Sequence, residues 1–143
     1  MAVTPDVIAK ARSFIGTPFK HMGRIPGEGL DCIGLIQVTL HECGLLLDKQ
    51  TGGYGRAARP GMLIGGLEDT FQRVNPSEMR EGDIILFSIT SEPQHVAWYT
   101  GDDTFIHAYA LTPRRVTEQR LNKQWRTRIR GVFRVRELRY VGK

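Results

Sequence analysis

The sequence predicts an α+β domain in which helices come first and pack on an antiparallel sheet that follows. Two observations carry the class. Apolar residues near the N-terminus recur at helical spacing, as in Val7, Ile8, Ala11, Phe14 and Ile15. From residue 83 onward they fall mostly in short β-branched and aromatic runs broken by turn residues, and helices followed by strands make segregated layers. A third observation sets the size: 143 residues, 41% hydrophobic, without an internal repeat or low-complexity tract, suit one packed domain.

Each element has its own signal. Thr4-Pro5-Asp6 reads as a helix start, with Thr4 as cap, Pro in the first turn and an acid near the positive end of the dipole; Gly16 ends that helix. Residues 17–30, rich in Gly and Pro, form a shaped loop. From Asp31 the run Ile33, Leu35, Ile36, Val38, Leu40 and Cys43 is apolar on most sides and stops at Gly44, which predicts a buried helix with Asp31 and Cys32 at its N-terminus. Residues 48–66 hold six glycines among polar groups and read as a long loop, and Leu63 to Val74 as a short helix. Strands are expected at Asp83–Ser88, His95–Thr100, Thr104–Ala108 and Arg130–Arg136, with Gly101-Asp102-Asp103 as a hairpin turn. Leu121 and Trp125, four apart, suggest a helix over Thr117–Arg128.

Composition removes several classes of function. There is no apolar run long enough to span a bilayer, so no membrane insertion is expected. The N-terminal residues lack the basic and apolar regions of a signal peptide, so cytoplasmic synthesis is expected. The two cysteines, Cys32 and Cys43, are spaced neither as a disulfide framework nor as a zinc knuckle and read as free thiols. Net charge is +5, but residues 114–143 carry nine Arg and two Lys against two Glu. That asymmetry suits an anionic partner or a solvated basic face. The lack of a basic motif interleaved with aromatics counts against nucleic acid.

A thiol at a helix N-terminus meets unpaired N–H groups and the positive dipole end, both of which favour thiolate. Cys32 has that position and Cys43 does not. A nucleophilic cysteine needs a base, and the candidates in strand context are His95, at the start of one strand, and His107, near the end of its hairpin partner. The same three residues could be read as a zinc site, but they contain no compact ligand pair. From spacing alone, a structural role for the histidines stands beside the catalytic one.

Five segments then resemble a known family. Gly16-Thr17-Pro18-Phe19, Leu30-Asp31-Cys32-Ile33-Gly34-Leu35, Gly82-Asp83-Ile84-Ile85-Leu86-Phe87, His95-Val96-Ala97-Trp98-Tyr99 and Phe105-Ile106-His107-Ala108 fall in the order and spacing of the NlpC/P60 cysteine peptidases. The resemblance spans nearly the whole chain and looks nearest to the short, stand-alone phage-type members, through Gln94-His95, His107-Ala108-Tyr109, Val116, Leu121, Trp125 and the strand from Gly131.

The resemblance implies a papain-like α+β fold and hydrolysis of peptidoglycan stem peptides, typically between γ-D-glutamate and a diamino acid, with no metal and no cofactor. Stem peptides and phage tail proteins are the partners it implies, with action in a virion or at the cell wall. In this sequence Cys32 would attack the carbonyl and His95 would carry the proton. His107 would hold the His95 ring, and the Cys32 N–H would be one oxyanion donor. Two positions depart from the pattern. Phe19 stands where many relatives have Tyr and cannot supply the hydroxyl, which leaves either His21 or backbone donors in its place; Ile33 replaces a small residue.

Around this core, Asp31 is either a helix cap or a substrate contact. Phe19, Tyr54 and Arg56 are expected at the cleft, Arg56 either gripping a stem-peptide carboxylate or solvated in its loop. Gly34 is expected to allow close packing, Trp98 and Trp125 to be core, and His41 to lie at the surface. The rival function is a tail or wall-binding module that keeps the fold without turnover.

Overall fold

The computed structural model describes residues 3–45, 62–89 and 93–141. Helix α1 (Thr4–Ser13) buries Val7, Ile8 and Ala11 along one stripe. Its N-cap is Val3 and not Thr4, because the Thr4 hydroxyl is spent on a tertiary bond, donating to Glu81 Oε1 at 2.8 Å. A small hairpin, β1 (Arg24–Ile25) and β2 (Gly29–Leu30), leads into α2 (Cys32–Glu42). This helix is buried on nearly every side, through Ile33, Gly34, Leu35, Ile36, Thr39 and Leu40, and ends at Gly44, whose φ of +80° suits glycine.

Helix α3 (Met62–Thr70) is followed by β3 (Gln72–Val74). The helix expected up to Val74 therefore stops four residues early, and residues 72–74 pair with residues 132–134 instead. Strands β4 (Ile84–Ser88), β5 (Pro93–Tyr99), β6 (Thr104–Ala108), β7 (Val116–Arg120) and β8 (Ile129–Arg134) complete a six-stranded sheet in the order β3-β8-β4-β5-β6-β7. Every pairing in it is antiparallel. The β5–β6 turn places Gly101 at φ +91° and Asp103 at +64°, as a tight hairpin requires.

The helix expected over Thr117–Arg128 is not formed as read. Residues 116–120 are strand β7, in register with β6, and only Lys123–Arg126 is helical (α4), capped by Asn122, whose side chain accepts from the Trp125 N–H at 2.9 Å. The Leu121–Trp125 spacing is real, but both residues serve the sheet: they cover the face opposite the long helices.

The sheet is thus buried on both sides. Val96, Trp98, Ile106, Ala108 and Phe133 face α1, α2 and Leu67 of α3. Ile85, Phe87, Ala97, Tyr99 and Phe105 face Leu121 and Trp125. Central β4 is buried at all five positions and is held at its start by Asp83. That carboxylate is 1% exposed and accepts two bonds from Arg134 of β8, at 2.9 and 2.8 Å, and one from the Arg80 N–H at 2.9 Å. Among the described residues no helix is long and apolar enough to cross a membrane.

Candidate active site

The start of α2 is fixed before its chemistry matters. Asp31 has extended backbone and accepts from the Gly34 N–H at 2.7 Å and from Arg24 Nη1 at 2.9 Å through Oδ1, and from the Met22 N–H at 2.8 Å through Oδ2. Three donors of this chain therefore engage the carboxylate, which caps the helix and ties the 17–30 loop to it. Gly34 is what lets that loop lie so close: a Cβ there would sit 2.2 Å from the Gly23 carbonyl oxygen. Phe19 bridges to Leu30, donates its N–H to the Arg114 carbonyl at 2.8 Å, and carries the Arg114 guanidinium over its ring at 5.8 Å.

Cys32, the first helical residue, meets the sheet where β5 and β6 part. The β5–β6 register runs only over Trp98↔Ile106 and Tyr99↔Phe105, whereas β6–β7 continues to Ala108↔Val116. Tyr99 donates its N–H to Asp83 on the β4 side. By the two-residue period of a strand, the Val96 N–H points the other way, into the opening. Cys32 lies near it, close enough for the Val96 N–H to lower the thiol pKa against the larger effect of burial.

His95, next to Val96 in sequence, turns its side chain to the opposite face, as does His107. There His95 Nε2 lies 2.7 Å from His107 Nδ1. The two rings are boxed by aromatics: Tyr109 stacks on His107 with centroids 5.0 Å apart, Phe87 stacks on His95 at 6.2 Å, and Phe105 and Trp125 pack edge-on or tilted around the pair. His107 Nε2 bonds Gln119 Oε1 of β7. Cys32 thus packs with the helix-side core, and the imidazole pair lies with the aromatic cluster on the other face of the sheet.

Burial sets the charge states. It pushes the Cys32 thiol up to about 11, with the Asp31 charge adding to the rise and backbone hydrogen bonds from Val96, Ile33 and Cys32 itself opposing it. Burial thus opposes the thiolate that the helix N-terminus favours. Burial also holds His95 well below 6.5, helped by the neighbouring His107. His107 is lowered to about 4, against the pull of its bond to Gln119. Burial thus favours the neutral form of the thiol and of both imidazoles.

His21 and His41 lie on the surface, and Cys43 is a half-buried free thiol at the far end of α2. Tyr54 and Arg56 fall outside the described residues. Among the described residues no group of three His, Cys, Asp or Glu side chains is arranged to hold a metal ion. Reading the sequence alone misses Gln119 and the caging roles of Tyr109 and Trp125. Within residues 116–120 only Val116 is apolar, so no strand alternation marks Gln119 in the sequence.

A thiol at a helix start thus stands near a strand that carries a paired histidine. The chain belongs to the NlpC/P60 family, whose profile matches residues 16–134. It is similar to a gamma-DL-glutamyl hydrolase of Bacillus subtilis, 29% identical over 132 residues, which are 90% of this chain and 28% of that protein. It is also similar to the murein DD-endopeptidase/LD-carboxypeptidase MepS of Escherichia coli, 32% identical over 88 residues, 61% of this chain and 40% of that one. The chain therefore spans less than half the length of either curated relative. Among solved structures, an NLP/P60 family protein from Staphylococcus aureus superposes with a TM-score of 0.68 at 25% identity, over 92% of this chain and 41% of the other.

Proposed function

We propose that the protein is a cysteine endopeptidase acting on peptidoglycan stem peptides, at the bond between γ-D-glutamate and the diamino acid. The observation that carries the reading is the His95 Nε2–His107 Nδ1 contact at 2.7 Å with Cys32, at the start of α2, near the adjoining Val96 N–H. The names of the curated relatives, a gamma-DL-glutamyl hydrolase and a murein endopeptidase, support the substrate class.

Cys32 attacks the scissile carbonyl as its proton passes to His95. The tetrahedral oxyanion is met by the Cys32 N–H at the positive end of α2. His95 then protonates the leaving amine, and water, deprotonated by the same ring, releases the acyl group. Both groups rest neutral, so proton transfer accompanies attack and no ion pair is stored beforehand. Phe19 offers no hydroxyl and His21 is exposed, so the oxyanion depends on backbone donors.

The test is mass spectrometry of L-Ala-γ-D-Glu-diaminopimelate and its lysine equivalent after incubation with wild type and Cys32→Ala. Cleavage after γ-D-Glu that disappears in the variant is the expected result; intact peptides with folded wild type would overturn the reading. The lost hydroxyl at Phe19 favours one rival, a binding module without turnover, which predicts that both proteins bind the peptides and neither cleaves them.

A further inference from the structure

Two imidazoles in series share one constraint. A single proton lies between His95 Nε2 and His107 Nδ1, so whichever ring donates it leaves the other ring an acceptor at that contact. Which way the pair settles is decided at its outer end. There His107 Nε2 meets the side-chain oxygen of Gln119, and an amide oxygen can only accept. His107 is therefore protonated at Nε2 and bare at Nδ1. His95 must then be protonated at Nε2, which leaves its Nδ1 lone pair as the basic nitrogen for Cys32.

We infer that Gln119 is a positioning residue that fixes the tautomers of both histidines, and through them aims the basic nitrogen of His95 at the nucleophile. This rests on the proposed Cys32–His95 chemistry for its consequence, though not for its geometry. Strand β7 builds the contact. His107 pairs with Thr117 and Phe105 with Gln119 across β6–β7, so Gln119 is the diagonal neighbour of His107 on the same face. Around His107 stand His95 from β5, Tyr109 beyond β6, Phe105, Trp125 of α4 and Gln119; the titratable groups among them are His95 and Tyr109. Burial of His107, 0% exposed, shuts out bulk water as the competing partner that would let either tautomer form freely.

Long-range 1H–15N spectra of the imidazole rings in labelled protein test this without reference to turnover. Wild type should show both buried histidines protonated at Nε2. Gln119→Leu, of similar volume and without an acceptor, should shift both toward Nδ1–H. Its kcat on stem peptide should fall about tenfold or more, the order expected when a buried donor loses its acceptor, with KM unchanged. Gln119→Glu presents only acceptor oxygens, so it should keep the wild-type tautomers and activity at alkaline pH. Its acid limb should move to higher pH, because the carboxylate stabilises the His107 imidazolium.

Wild-type rings protonated at Nδ1 would overturn the inference, as would a Leu variant with unchanged tautomers. Absence of stem-peptide cleavage by wild type whose rings show the expected tautomers would instead sink the functional reading and leave the tautomer assignment standing.

Discussion

Replacing His107 by Gln should flatten the acid side of the stability profile. In the folded chain His107 is neutral down to about 4, held there by burial, while in the unfolded chain it titrates near 6.5. Above 6.5 both states are neutral and this residue adds no pH dependence. Between 6.5 and 4 the unfolded chain binds a proton that the folded chain refuses, so stability falls as pH falls, by about 1.4 kcal/mol per pH unit and about 3 kcal/mol in all.

At pH 5 the loss from His107 is about 2 kcal/mol, which at a urea slope of about 2 kcal/mol per molar moves the midpoint by about 1 M. His95, lowered chiefly by the same cause, adds a second loss of the same sign. Urea titrations of wild type and His107→Gln at pH 7.5, 6.5, 5.5 and 5.0 give the comparison. Carboxylate contributions common to both proteins cancel, and the variant should lose less stability than wild type across the interval. Parallel profiles would refute the claim that burial keeps this imidazole neutral.

Three further outcomes follow from packing and charge. Gly34→Ala sets a methyl 2.2 Å from the Gly23 carbonyl oxygen and should cost about 1–3 kcal/mol in urea unfolding, together with cleavage activity, because the start of α2 shifts; full stability would show that the loop yields freely. Arg134→Leu leaves the Asp83 carboxylate buried with the Arg80 N–H as its remaining bond and should cost about 3 kcal/mol. Adding Asp83→Asn should restore part of that, and a double variant no better than the single would contradict the pairing. In a Cys43→Ser background, iodoacetamide labelling of Cys32 should keep rising beyond pH 9, as a thiol near 11 requires; a plateau below pH 8 would mean that the free protein stores a thiolate.

The parts of this protein that were legible in the sequence are those governed by one local rule. Asp31, Cys32 and Gly44 bracket a continuous apolar run, so α2 and its polarity follow from capping and periodicity. The Gly101–Asp103 turn forces β5 and β6 into a hairpin, which brings His95 and His107 to one end of the sheet. Where a residue answered to a distant partner, the local rule misled. Thr4 looks like a cap but spends its hydroxyl on Glu81, 77 positions away. Thr117–Arg128 carries a four-residue spacing that suggests a helix, yet residues 116–120 find their partners on β6. That misreading also hid Gln119, since a helical residue there has no reason to meet His107. The Cys32 thiol misled in the same manner: the dipole is visible in the sequence, whereas the enclosure that outweighs it exists only after packing.

The divergence of β5 from β6 ties these observations together. A ladder continued to Val96 would satisfy its N–H within the sheet. Cys32 packs with the helix-side core, and His95 with the aromatic cluster on the other face. By parting after Trp98, the hairpin leaves the Val96 N–H without a ladder partner on β6, near the Cys32 thiol. The price is a hairpin held at that end by side chains, through the His95–His107 contact, instead of by backbone bonds. Its loss should therefore loosen the strand pairing as well as the chemistry. Backbone amide exchange at Val96 should rise more in a His107→Ala variant than exchange at Ile85 on β4, and equal protection at both would show that the opening does not depend on the histidines.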